Sequence, residues 1–501
     1  MGYSEKDITV IREDVEKIKK RHTMYINGFG WTALMHLLRE VLQNSIDEAE
    51  NKESNCDKIF VKFDENTKCT TIADRGRGVP HGAMEDVCTI IQSSGKFEKS
   101  VGNNAYGFAA GTNGVGLTCV NALSTNFRMV SIRDGVEKTC EFEFGYLVNQ
   151  KEKKSKSKTT GTIVSFIPNE EIINKVKPNV QDILDLCETM SYLCKVKIEV
   201  EITLKNKKVI QETYYSKNGI LDLLNKLSDG KAITKPVYFK HDDGDKKVEV
   251  AFCYAPESEY YIREGEVDCI RSFVNFCSTP DLGTHVVGFR QGIANALIKY
   301  TRENILTKKE QEKMSIIGDD VRSGLIAVIN ADHMYASFVG QIKNKCNNED
   351  LIPFVRKATY SNILKWSKEN EKDAKKIGDF VKSMAKVRIK ASEEKKHVIK
   401  KDFANIFSKN RPKNWKPSTG KSGLVLYIVE GESAGGSANQ SRDKSYQELY
   451  YLKGVPKGTL DLTISGVLAN DELRGLVTCL GTNIGKDFNI KKLRWIHASN
   501  L

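Results

Sequence analysis

Twenty residues, Trp31 to Glu50 (WTALMHLLREVLQNSIDEAE), constrain this chain more than any other stretch. At 3.6 residues per turn, Leu34, Leu37, Leu38, Val41, Leu42 and Ala49 share one apolar side, which demands a second layer to cover it. Glu40, Asn44 and Asp47 fall together elsewhere, within an arc of roughly 60° at about 100° per residue. A carboxylate there can polarise a water, and a carboxamide oxygen one turn on can hold a hard divalent cation. The same stripe is equally the pattern of a solvated helix face. The helix alone does not choose between the two.

The flanking sequence adds two glycine-rich features. KIFVKFDENTKCTTIADRGRGVP reads as two strands around the turn DENTK, then Asp74 with Gly76 and Gly78, closed by Pro80. A carboxylate just past a strand, beside glycines that let a flat ligand approach the backbone, can accept the exocyclic amine of adenine. The alternative is an ordinary turn after an edge strand. From Ile90 to Ser124 the chain is glycine-dense and becomes helical from about Val115. Gly111, Gly114 and Gly116 stand where a loop enters a helix, so bare amides can face phosphates, and Lys96 can bring a mobile positive charge. A flexible surface loop would look the same, and the order is not G-x-G-x-x-G. Gly420-Lys421-Ser422 resembles the end of a P-loop, but Trp415 stands where the first glycine is required.

The totals describe a globular protein of about three domains: 501 residues, 40% hydrophobic and 28% charged. A net charge of +12 tilts weakly toward polyanionic partners such as DNA. Twelve cysteines without a C-x-x-C pair argue against structural zinc and for free thiols in a reducing compartment, so a cytoplasmic location is expected. The charged start MGYSEKDITVIRED is no secretory signal, and no apolar run approaches 18 residues, so no membrane association is expected.

Taken in order, the Glu/Asn/Asp helix, D-x-G-x-G, G-x-x-G-x-G opening a helix, and Thr160-Gly161-Thr162 before IVSFIP resemble the ATP site of the GHKL superfamily. Further on, SFVNFCSTPDLGTHVVGFRQGIANAL, GDDVRSGLIAVI and FVGQIKNK resemble the second domain of gyrase B proteins, and LVLYIVEGESAGGSANQSRD resembles the opening of a TOPRIM domain. Over nearly its full length the chain is similar to the ATPase subunit of type IIA DNA topoisomerases, nearest the gyrase B and topoisomerase IV pattern.

The resemblance implies ATP and Mg²⁺ as cofactors, with Glu40 as general base and Asn44 as magnesium ligand. It gives Asp47 a supporting place on the same face, and Asp74 the adenine amine, with Gly76 and Gly78 beside it and Thr162 helping through water. Gly111, Thr112, Asn113, Gly114, Val115 and Gly116 would wrap the phosphates. Lys96 and Tyr106 would face the nucleotide, and Gln341 and Lys343 would return to it from the second domain. Tyr3 lies where the family sends a tyrosine into the partner subunit's site, and Arg133 matches an arginine that coumarin antibiotics contact. Glu430, delivered by an apolar strand to a loop of small residues, would be the first metal ligand of TOPRIM.

There are departures. Arg21 to Asn27 replaces the usual R-P-G-M-Y-I-G turn, and Asn113 stands where bacterial gyrases have histidine. Residues 391 to 423 are unusually basic; their lysines and Trp415 either track a DNA backbone or form a solvated linker. KEKKSKSK (151–158) reads as a surface loop. The chain ends, in KKLRWIHASNL, about where the strand bearing the TOPRIM D-x-D should begin. A split gene, as in some bacteriophages, a truncation and a loss of cleavage are the three explanations.

The expected fold class is α/β (α+β, multidomain). Residues 1–217 should form a GHKL (Bergerat) sandwich with an N-terminal arm, and 218–390 a transducer of ribosomal S5-like fold. A basic linker, 391–423, should lead into an incomplete TOPRIM α/β unit, 424–501. The expected function is an ATP-operated dimeric clamp on double-stranded DNA. A cleavage subunit carrying the active tyrosine, and under the split-gene explanation a separate chain carrying D-x-D, would complete it. The alternatives are a non-cleaving clamp of the MutL or chaperone kind and a regulatory nucleotide-binding scaffold.

Overall fold

The computed structural model describes residues 12–93, 108, 114–264, 267–340, 342–409, 412–420, 423–452, 470–482, 488–493 and 497–500. They divide into two compact units between Lys386 and Val387.

The first unit begins with α1 (Asp14–Lys20) and α2 (Trp31–Ala49). Eight strands follow: β1 (Lys58–Asp64), β2 (Thr70–Asp74), β3 (Ser124–Arg133), β4 (Val136–Glu143), β5 (Tyr146–Lys154), β6 (Gly161–Pro168), β7 (Lys197–Thr203) and β8 (Val209–Tyr214). They form one mixed sheet in the order β5-β4-β3-β6-β2-β1-β7-β8. Strand alternation supplies its inner face. Ile59, Val61 and Phe63 of β1 sit in parallel register with Ile198, Val200 and Ile202 of β7, and all six are buried. Against them pack Leu34, Leu37, Leu38, Val41 and Leu42 of α2, with α3 (Gly116–Ala122) and α4 (Val180–Leu193), in one core. Each leucine so buried stabilises by about 1.5–3 kcal/mol. This is the expected sheet backed by helices. Lys151–Lys154, expected in a loop, instead extend the edge strand β5, where exposure keeps lysines solvated.

A five-stranded sheet follows α5 (Ile220–Ser228): β9 (Val237–Asp242), β10 (Lys246–Tyr254), β11 (Asp268–Val274), β12 (Cys277–Ser278) and β13 (Leu325–His333), in the order β12-β11-β13-β10-β9. VEVAFCYA and GLIAVINA lie on β10 and β13. They pair antiparallel; the parallel crossover runs from β11 to β13 through α6 (Thr284–Asn304). Val250–Tyr254 of β10 and Leu325–Ile329 of β13 are continuous apolar runs because both faces are covered there. Ala251, Cys253, Ile326 and Val328 pack on α5. Val250, Phe252, Ala327 and Ile329 pack with α6, α7 (Leu351–Glu369) and the start of α8 (Glu371–Lys409). The stretch expected as a linker is therefore helical as far as Lys409.

The second unit holds a small sheet of β14 (Trp415–Lys416), β15 (Val425–Glu430), β16 (Gln447–Leu452) and β17 (His497–Asn500), ordered β14-β16-β15-β17. Two expectations change here. Trp415 is buried with Leu426, Tyr450 and Cys479, and its indole N–H donates to Glu448 Oε2 at 3.0 Å, so it is not available to stack on DNA. The small residues after Glu430 form α9 (Gly431–Ser441) rather than a loop; Gly435 lies so close to the Tyr451 ring that a Cβ would collide with it. β17 runs parallel to β15, and its four residues include no carboxylate. An N-capped helix, α10 (Asp471–Leu480), completes this unit among the described residues.

Candidate active site

The polar stripe of α2 is covered. Glu40 is 8% exposed and Asp47 3%. The cover is the segment Ser337–Asn347, between β13 and α7. Asn347 N–H donates to Ser337 O at 3.0 Å and Val339 N–H to Lys345 O at 2.9 Å, so the segment closes on itself like a hairpin. Cys346 bridges to both Phe338 and Gly283, which fixes its base beside the start of α6. At the tip, Lys343 adopts φ +61°, a left-handed conformation that costs a non-glycine residue about 1–3 kcal/mol and persists only when neighbours over-determine it.

That backbone delivers the Lys343 Nζ, itself buried, to 3.5 Å from Glu40 Oε1, and His36 Nε2 lies 3.7 Å from the same oxygen. Burial pushes the Glu40 carboxyl up, but the attraction and hydrogen bond of the Lys343 ammonium, with Arg39, more than offset this and hold it below the usual range. Burial alone would lower Lys343; attraction to Glu40, and also to Cys277 and Asp47, raises it to about 12. Burial lowers His36, so its imidazole is neutral at pH 7. α3 begins at Gly116, where a Cβ would collide with Glu40 Oε2; only glycine lets the helix start this close to the carboxylate. Behind the pair, Gln43 Nε2 donates to Cys277 Sγ at 3.4 Å, which ties α2 to β12.

Asp74, at the end of β2, is the second centre. Its Oδ1 accepts from Gly76 N at 2.9 Å and Thr162 N at 3.1 Å, and its Oδ2 accepts from Ser45 Oγ at 3.1 Å. Burial raises its carboxyl to about 6, against these three hydrogen bonds. Around it, Glu48 takes Arg77 in a two-pronged ion pair at 2.9 and 3.1 Å, Thr160 Oγ1 donates to Gly76 O at 2.6 Å, and Arg133 Nη1 reaches Gly78 O at 3.5 Å. Thr162 thus meets Asp74 through its backbone N–H.

The structure therefore gathers Glu40 and Lys343 with Gly116 and Asp47 in one centre, and Asp74, Gly76, Gly78 and Thr162 in another. Gly114, at φ +59°, and the buried Val115 lead into α3, and Asn44 is half-buried on α2 between Glu40 and Asp47. Tyr3, Lys96, Tyr106, Gly111, Thr112, Asn113 and Gln341 lie outside the described residues. Among the described residues no three His, Cys, Asp or Glu side chains gather into a metal cage. Asn44 is a donor suited to a divalent cation that takes its other ligands from phosphates and water. Glu430 stands exposed at the end of β15, and one carboxylate by itself does not fit a metal site. Sequence reading missed His36, Ser45, Glu48 and Arg77. Ser45 and Glu48 lie one turn apart on α2, but their partners are 29 residues away, where no helical period points.

A buried carboxylate kept ionised, a buried ammonium beside it, and a separate acceptor in a glycine-lined pocket can respectively activate water, meet a phosphate and hold a base. Known proteins share the sequence and fold around these residues. Residues 31–171 match the family model "Histidine kinase-, DNA gyrase B-, and HSP90-like ATPase", so this part is an ATPase module of that class. Residues 219–397 match "DNA gyrase B". The DNA gyrase B protein of Archaeoglobus fulgidus is 32% identical over 98% of this chain and 76% of its own length; that of Campylobacter jejuni is 31% identical over 99% and 63%. The chain belongs to the DNA gyrase B family, and it spans 63% of the length of the Campylobacter protein. The ATP-binding domain of Francisella tularensis topoisomerase IV superposes with a TM-score of 0.58 at 28% identity, over 75% of this chain and 98% of that one. The ATPase domain of Thermus thermophilus gyrase B, at 24% identity and a TM-score of 0.59 over 76% and 97%, shares the fold.

Proposed function

We propose that this chain is the ATP-binding and ATP-hydrolysing subunit of a type IIA DNA topoisomerase. ATP binding would dimerise it around a DNA segment, and hydrolysis would reset it. The observation that carries this reading is the Lys343–Glu40 contact, in which a loop rooted on the second sheet completes the chemistry of a helix on the first. Glu40 accepts the proton of a water aimed at the γ-phosphate, and Lys343 stands ready to exchange its carboxylate partner for that phosphate. His36, neutral, orients Glu40 without supplying charge. Asp74 takes the adenine amine, with Gly76 and Gly78 allowing the ring to approach the backbone. Bound with the nucleotide, Mg²⁺ would neutralise phosphate charge, with Asn44 as its protein ligand and Asp47 as support. Tyr3, Lys96, Tyr106, Gln341 and Gly111–Asn113 remain assigned on the resemblance alone.

In this reading residues 1–217 are the ATPase domain, 218–390 the transducer, 391–423 a basic connection and 424–501 the beginning of a TOPRIM unit. DNA cleavage would need the active tyrosine of a partner chain and D-x-D carboxylates beside Glu430, which by itself makes no site. The complex would work in the cytoplasm; the cysteines of the chain are all free. Glu40→Ala tests the core of the proposal. Nucleotide binding should persist while turnover of the purified chain falls by about 10² or more. Unchanged turnover would sink the assignment of the base.

A further inference from the structure

Ser45 is buried on α2, and nothing in the motifs above gives it a role. We infer that Ser45 sets the base selectivity of the Asp74 pocket by holding the carboxylate as an acceptor with one position left to fill. This rests on the reading of that pocket as an adenine site.

A carboxylate offers about four acceptor positions. Two on Oδ1 are taken by the backbone N–H groups of Gly76 and Thr162, which cannot turn away. The Ser45 hydroxyl takes one on Oδ2. The remaining position takes none of these three donors, and Asp74 is half-buried, so water fills it until a ligand donor replaces the water. Adenine offers its exocyclic amine. Guanine and hypoxanthine carry a carbonyl oxygen at the corresponding ring position, which would set two acceptors face to face. The ionised state of Asp74 is essential to this discrimination, because a protonated carboxyl could donate to that carbonyl. Burial favours protonation, and Ser45, after the two backbone donors, opposes it. Without the hydroxyl, Oδ2 has a second vacant position, is easier to protonate, and is free to turn about the bond that Oδ1 alone then anchors. A packing role is the competing explanation, since a small side chain is needed where α2 meets the end of β2.

Steady-state hydrolysis of ATP, GTP and ITP by the full chain and its Ser45→Ala and Ser45→Thr variants separates the two. Ser45→Ala should raise the KM for ATP by about fivefold or more and leave kcat within about twofold, the signature of a lost binding contact. The ratio of kcat/KM for ATP to that for ITP should shrink by about tenfold, and Ser45→Thr, which restores the hydroxyl, should recover both. An unchanged ATP-to-ITP ratio in Ser45→Ala overturns the inference, as does a uniform change in kcat for all three nucleotides. If the wild-type chain shows no preference for ATP over ITP, the adenine reading of the pocket falls and this inference falls with it.

Discussion

Asp74 is pulled two ways, and the balance is measurable. Burial raises its carboxyl to about 6 while Gly76, Thr162 and Ser45 hold it down. An adenine amine needs the ionised form, so the KM for ATP should climb as pH falls through about 6. The nucleotide-free fold responds with the opposite sign. A carboxyl whose pKa is raised on folding binds its proton more tightly in the folded state, so its own contribution to stability grows as pH falls from about 6 toward the ordinary value of 3.8. Nucleotide affinity should therefore fail in mild acid before the melting temperature does; parallel loss of both would place the effect elsewhere. At this scale the sequence disclosed a great deal. Asp74 was legible because D-x-G-x-G couples a carboxylate to bare backbone in five consecutive residues. Ser45 and His36 were not, because a serine or histidine inside an amphipathic helix carries no local mark of what it will face.

Elements decide whether those residues meet. α2 was readable from its period, and its apolar side is buried as expected, but the fate of its polar side depended on a segment some 300 positions away. No periodicity describes the hairpin from Ser337 to Asn347. It is held by bridges, by Thr284 N–H donating to Cys346 O at 3.2 Å, and by a close approach at Gly283, where φ is +152° and a Cβ would sit 2.5 Å from Cys346 O. Gly283→Ala should therefore push the base of the hairpin aside. We expect turnover to fall at least tenfold and stability to drop by about 1–3 kcal/mol, with binding to the Asp74 pocket little changed. Thermal unfolding and fluorescent-nucleotide titration would check this, and full activity in the variant would contradict it. The misread elements share a cause. Lys151–Lys154 and the segment after Glu430 were judged by composition, and lysines on an open edge strand or glycines against a tyrosine ring are settled by neighbours.

For the first unit as a whole, the Glu40–Lys343 pair joins its two sheets, and its pH limits follow from the two shifts. Glu40 is lowered on folding, so its contribution is present above the ordinary 4.5 and is lost as pH falls through its folded value. Lys343 is raised, so its contribution is complete below 10.5 and is lost as pH rises through about 12. Neutral pH lies well inside both limits. Lys343→Met strands a buried carboxylate and should cost about 3–5 kcal/mol. Adding Glu40→Gln to it should return most of that loss, although hydrolysis stays absent in both. A double mutant no more stable than Lys343→Met would mean that the pair does not join the layers.

The two sheets and their helices were foreseeable from alternation and period, since each needs only local sequence. The lysine that crosses between them was legible only through the resemblance of FVGQIKNK, because neither alternation nor period describes a residue held in a left-handed conformation. Its consequence is logical as well as energetic. On the proposed function, a nucleotide held by the Asp74 pocket alone meets one of two conditions, and its γ-phosphate stays intact until the second sheet presents its lysine. On that function the site would act as a coincidence detector, and each hydrolysis would report that both conditions had been met at once.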